Sequence, residues 1–125
     1  QDYQRDLDEN VFILVELDIK PGHFEKFVEV AQYMSEVVKT TEAAAQVYEW
    51  TVSQDSTKCH ILERYSSSAA TIAHSALFRE QFAEKLNQVA EIKGLQVYGN
   101  PSDELIELWG LKQSGYYKPV AGFSR

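Results

Sequence analysis

The sequence predicts an α+β fold: a ferredoxin-like βαββαβ arrangement with one antiparallel sheet, assembled as a dimeric α+β barrel, plus an extra C-terminal helix and tail. Three observations predict it. "VFILVELDI" (11–19) alternates with the period of a strand. "FEKFVEVAQYMSEVV" repeats its apolar residues at helical spacing. Two further strand-like runs then follow in tandem, before a second helical stretch and a last strand. Strand, helix, strand, strand, helix, strand is the split βαβ pattern, and right-handed crossovers leave few other topologies.

In the first strand, Val11, Ile13, Val15, Leu17 and Ile19 share one face, and Phe12, Leu14, Glu16 and Asp18 share the other. The first face calls for burial; the second, apolar at one end and acidic at the other, calls for partial cover. "KPGHFEKF" turns the chain into a helix of about 17 residues. Its Phe24, Phe27, Val28, Ala31, Met34, Val37 and Val38 form the apolar side. "QVYEWTV" (46–52) and "KCHILERY" (58–65) read as strands, and "SQDST" has the chemistry of a hairpin link. Cys59, Ile61, Glu63 and Tyr65 share one face of the second of these strands.

A short helix from about Ser67 to Ala76 follows, with serines ready as N-caps. Its natural buried stripe is Ala69, Ile72, Ala73 and Ala76; a second stripe through Ala70, Ala73 and Leu77 would put His74 on its flank. "LFREQFAEKLNQVA" predicts an amphipathic helix with Phe78, Phe82, Leu86 and Val89 in line, and "KGLQVYG" (93–99) a final strand. These elements make one domain, 1–125, with a core at about 11–98 and an extension at 99–125. In the extension, Asn100 or Ser102 can cap a helix whose apolar side is Leu105, Leu108, Trp109 and Leu111. Tyr116, Tyr117 and Phe123 predict a tail that packs down. Two helices cover one face of a four-stranded sheet; the open face, with Phe12 and Leu14, predicts a homodimer.

Bulk properties narrow the function classes. The 125 residues carry a net charge of −7, which disfavours nucleic acid and anionic membrane surfaces as partners. Apolar residues at 44% and charged residues at 25% match a globular chain. No run is long and apolar enough to span a membrane. The single cysteine, Cys59, rules out an internal disulfide and fits a cytoplasmic location. The polar, acidic start "QDYQRDLDEN" is unlike a signal peptide.

No Walker loop, Gly-rich dinucleotide turn or metal-binding run is present. Cys59 and His60 are strand neighbours on opposite faces, so they cannot jointly hold a metal, and no metal site or cofactor is expected. The polar groups set among apolar residues are Glu63, Tyr65 and His74. A buried Glu63 needs a partner. His74 from the next helix can supply it; alternatively Glu63 bonds to Arg64, a serine or backbone, and His74 is solvated. Periodicity leaves both open.

The segments "VELDIKPGHFEKF", "VYEW" and above all "ILERYSSSAATIAHSALFREQF" resemble the antibiotic biosynthesis monooxygenase family of dimeric α+β barrels, over about residues 11–98. Glutamate, an aromatic two positions on, a serine-containing turn, a histidine nine positions after the aromatic and then phenylalanine are matched by Glu63, Tyr65, His74 and Phe78. The family's aromatic is usually tryptophan, and the segment between His74 and Phe78 is shorter than usual. Val15 and Phe82 stand where the haem-degrading branch has asparagine and histidine, which disfavours that branch.

The resemblance implies a pocket in each subunit between sheet and helices, and oxidation of phenolic or quinol-like molecules by O2 without flavin or metal. It implies His74 as base, Glu63 as the group that orients it, and Tyr65 as a hydrogen-bond donor. Val15, Trp50, Phe78 and Phe82 would line the substrate's walls. Two rival readings use the same pocket: a non-catalytic module that binds a small ligand, and an isomerase of a small oxygenated metabolite.

Overall fold

A computed structural model describes residues 9–125; the polar start of the chain, 1–8, lies outside the described residues. Four strands, β1 (Val11–Ile19), β2 (Ala45–Val52), β3 (Lys58–Tyr65) and β4 (Ala90–Gly99), form one sheet in the order β2-β3-β1-β4. All three pairings are antiparallel. Helix α1 (Phe24–Thr41) crosses from β1 to β2. The β3–β4 crossover contains α2 (Ser68–Leu77), a π-helical segment (Phe78–Phe82) and α3 (Ala83–Asn87). This is the ferredoxin-like α+β architecture.

The period-two pattern of β1 decides which face is inside. Val11, Ile13, Val15, Leu17 and Ile19 are all buried, and the residues between them are half-buried. Each such aliphatic side chain contributes roughly 1.5–3 kcal/mol on full burial. Phe27, Val30, Met34 and Val38 of α1 pack onto this face, and Phe82, Leu86 and Val89 close it from the second crossover.

Strand β4 begins at Ala90, three residues earlier than the sequence pattern suggested. A register shift explains the missed start. Val15 pairs with Leu95 but Leu17 pairs with Ile92, so β4 carries one extra residue opposite Glu16/Leu17. This bulge breaks the alternation and turns both Ile92 and Leu95 toward the helix side.

The alanine stripe expected of α2 is not the buried one. Ser68, Thr71 and His74 are buried, whereas Ala69 and Ala73 are exposed. Hydropathy misplaced the face because each buried polar group has a local partner. The Ser67 hydroxyl accepts from the Ala70 N–H, and the Thr71 hydroxyl donates to the Ser67 carbonyl, 3.0 Å away. The Ser68 hydroxyl accepts from the Ser102 N–H at 2.8 Å. The single amphipathic helix expected after it is divided by the π-helical segment, where the hydrogen-bond ladder widens.

The extension folds back over the core. Ser102 caps α4 (Asp103–Leu108), and Gly110, at φ +62°, turns the chain into α5 (Leu111–Ser114). Leu105 and Leu111 are buried, but Leu108 is exposed. Tyr117 then pairs with β4: its N–H donates to the Val97 carbonyl and its carbonyl accepts from the Gly99 N–H. The Tyr117 ring stacks on Tyr98 at 5.1 Å. The tail packs through Tyr116, half-buried against the core, and through the stacked Tyr117, whereas Phe123 is 76% exposed.

Candidate active site

A cavity of about 520 Å³ lies between the sheet and the second crossover. Its floor is the inner face of the sheet: Ile13 and Val15 of β1, Ile61 and Glu63 of β3, and Tyr48 of β2. His74 and Ser75 of α2, with Phe78 and Arg79 of the π-helical segment, form one wall. Ile92 and Leu95, aligned by the bulge, flank the opening, and Trp109, Leu111 and Ser114 of the extension close the outer side. The size suits a small organic molecule, and the walls are mostly apolar.

The polar centre is His74, held between two carboxylates. Its Nδ1 lies 3.0 Å from each oxygen of Glu42, so an Nδ1–H donates to that carboxylate. Its Nε2 is 3.6 Å from Glu63 Oε1, an ion-pair distance too long for a hydrogen bond. The Tyr65 hydroxyl donates to the same Oε1 at 2.6 Å. Tyr65 also packs its ring 5.1 Å from the imidazole, and Tyr48 meets it edge-on at 5.6 Å. Glu63 and His74 are only 6% and 8% exposed.

Strand geometry explains the cluster. Glu63 and Tyr65 are two apart on β3 and so share the inner face. Tyr48 stands opposite Glu63 in the ladder. Glu42 caps the C-terminal end of α1, where the helix dipole disfavours a carboxylate. The imidazole N–H compensates it there.

Burial pushes the Glu63 carboxyl above its ordinary range; the nearby imidazole and the Tyr65 hydroxyl pull the other way, and the Glu42 charge adds to the rise. Burial likewise pushes the Tyr65 phenol up, reinforced by the Glu63 charge, so Tyr65 stays a protonated donor. Tyr48 is raised by burial and by Glu63 in the same way. Burial pushes the Cys59 thiol up to about 11, which leaves it no thiolate character at neutral pH. Among the described residues, no group of three or more His, Cys, Asp or Glu side chains converges to hold a metal ion.

His74, Glu63, Val15 and Phe78 meet around one cavity. Glu42 rather than Glu63 holds the His74 ring, because Glu63 stands 3.6 Å from Nε2. Three other residues lie away from the places the resemblance implied. Tyr65 is fully buried behind Glu63, and its hydroxyl is engaged by that carboxylate, so it supports the site without facing a substrate. Trp50 lies one inward position farther along β2, opposite Ile61, and packs edge-to-face on Phe27 at 5.8 Å. It edges a separate groove with α1, and Tyr48 holds the place expected of it. Phe82 is fully buried and meets Tyr33 of α1 edge-on at 5.9 Å. As the last residue of the π-helical segment it belongs to the core.

Sequence reasoning missed Glu42, Tyr48 and the tail residues. For Glu42 one signal existed: an acid at the end of a helix, where a basic residue is favoured.

No family model matches the chain, and no curated protein matches it. Solved structures do. MupZ from Pseudomonas fluorescens superposes with a TM-score of 0.77 and 23% identity, covering 94% of this chain and 95% of that one. At that coverage the likeness takes in the C-terminal extension. A Caulobacter crescentus protein described as a "putative antibiotic biosynthesis monooxygenase" matches at TM-score 0.63 and 18% identity, over 72% of this chain and 86% of that one. A Bacteroides thetaiotaomicron protein of the same description matches at TM-score 0.61 and 21% identity, over 71% and 85%. The chain thus has the ferredoxin-like α+β fold of structures assigned to the antibiotic biosynthesis monooxygenases.

Proposed function

We propose that the chain is a member of that family and a cofactor-free monooxygenase that oxidises a small phenolic or quinol-like molecule with O2. One observation carries the proposal: an imidazole oriented by Glu42 at Nδ1 presents Nε2 beside Glu63 on the wall of an apolar cavity. His74 takes the phenolic proton at Nε2, and Glu42 stabilises the imidazolium. The electron-rich phenolate passes one electron to O2, and the two radicals combine into a carbon–oxygen bond. The peroxide receives the proton back from His74. The O–O bond then breaks as the ring carbon loses its hydrogen as a proton, giving a quinone and one water. Phenol plus O2 balances quinone plus water, so no further reductant is needed. Glu63, with its carboxyl raised by burial, hydrogen-bonds the oxygenated intermediate when protonated.

The test is O2 consumption with a panel of phenols and quinols, in the presence of a chelator and without added flavin. One O2 consumed and one labelled oxygen incorporated per product support the reading; an unchanged yield under nitrogen contradicts it. A second reading, an isomerase that relocates a proton, is favoured by one feature. A carboxyl raised by burial beside an imidazole offers an acid and a base together. Turnover under nitrogen selects it. Binding without turnover selects a ligand-binding module.

The proposal includes a homodimer joined through the open face of the sheet. Leu62 is 43% exposed there, between half-buried Leu14 and the outward side of β2. Leu62→Glu should convert the species seen by light scattering from twice the 14.3 kDa chain mass to that mass. An unchanged dimer would place the interface elsewhere.

A further inference from the structure

Within the cavity wall one charge is unaccounted for by the proton chemistry. Arg79 lies at the cavity's exposed side, on the π-helical segment. Its guanidinium donates to the Ser75 hydroxyl at 2.8 Å, and that serine also lines the cavity. Among the described residues no carboxylate is paired with it. Ser114 of α5 brings a second hydroxyl to the same cavity. The remaining walls near the opening, Ile92, Leu95 and Trp109, are apolar.

We propose that Arg79, with Ser75, binds an anionic end group of the substrate, so that the substrate is an amphipathic acid: an apolar, ring-bearing body with a carboxylate at one end. The inference rests on the reading of the cavity as the substrate site. Arginine presents a planar fork of donors that matches a carboxylate in a two-point contact. The net charge of −7 repels anions at long range, so a preference for an acid has to come from a local cation. Arg79 and His74 line the same cavity from successive turns of the crossover, so the acid and the group that reacts are separate ends of one ligand. The ring then lies against Tyr48 and Val15, and the acid faces the opening.

The experiment is a binding titration followed by tryptophan fluorescence, since Trp109 lines the cavity. Three probes of one length are compared: hydroxyphenylbutanoate, its primary amide and hydroxyphenylbutylamine. The proposal expects the acid to bind about 10–100-fold more tightly than the amide, the scale of a charge-assisted bond, and the amine to bind most weakly. Arg79→Gln should remove the acid's advantage and leave the amide's affinity unchanged; Arg79→Lys should keep part of it. Melting curves for each variant confirm that the fold is kept. Equal binding of acid and amide, or an acid preference that survives in Arg79→Gln, overturns the proposal while leaving the cavity as the substrate site. Failure of all three probes to bind overturns both.

Discussion

Replacing His74 by alanine is expected to lower kcat about 10²–10⁴-fold, the usual contribution of a positioned general base. The reason lies in the geometry. Nδ1 is committed to Glu42, so Nε2, beside Glu63 in the cavity-lining pair, is the one ring nitrogen free to accept a proton. The alanine variant leaves a space the size of the ring, and added imidazole should restore part of the rate. Glu42→Gln tests the positioning role. It keeps an acceptor oxygen but removes the charge that balances the imidazolium, so kcat should fall about tenfold with KM unchanged. Steady-state kinetics of the three proteins on one phenol decide the matter. Equal rates for wild type and His74→Ala would remove His74 from the chemistry.

Glu63→Gln is expected to separate stability from activity. Burial holds the folded-state carboxyl above its unfolded value. Between those two values the folded chain therefore keeps a proton that the unfolded chain has lost. The stability this group contributes is complete below the unfolded value and is lost as pH rises through the folded one. Glutamine stays neutral at every pH, and its carbonyl oxygen still accepts from Tyr65. The variant should be more stable than wild type at about pH 8, and the gap should close as pH falls to about 4. Turnover should fall, because an amide N–H is a weaker hydrogen-bond donor to the oxygenated intermediate than a carboxylic acid. Urea unfolding at the two pH values measures the gap. A variant less stable than wild type at the higher pH would mean that the charged carboxylate is favoured by the fold.

The sheet was legible because β1 obeys period two along its whole length, and one face of such a strand has to be inside. Helix α1 was legible for the analogous reason at helical period. The failures have local causes. In α2, alanines look more apolar than Ser68, Thr71 and His74, yet hydrogen bonds make the polar face the buried one. The stripe Phe78, Phe82, Leu86 and Val89 packs on the core as its spacing predicts; only the resemblance placed Phe82 on a substrate wall. In β4 the bulge opposite Glu16 and Leu17 shifts the phase.

The site was half legible. Glu63 and Tyr65 share a face by alternation, and the resemblance brings His74 toward them. Glu42 is 32 residues from His74 in sequence, and no local pattern links them. The tail's contribution depends on Gly110, whose left-handed turn folds α5 back so that Leu111 and Ser114 reach the cavity. Exposed and buried leucines in that segment are equally apolar, so only the turn distinguishes Leu108 from Leu111.

The central claim is that Glu42 fixes the His74 ring so that Nε2 meets the substrate. Nitrogen-15 imidazole NMR of the wild-type protein tests it most directly, with His74 assigned by its absence in His74→Ala. Nδ1 is expected to be protonated and to be perturbed in Glu42→Gln, and the Nε2 signal to move when a phenol fills the cavity. An Nε2 signal indifferent to every phenol that binds would contradict it.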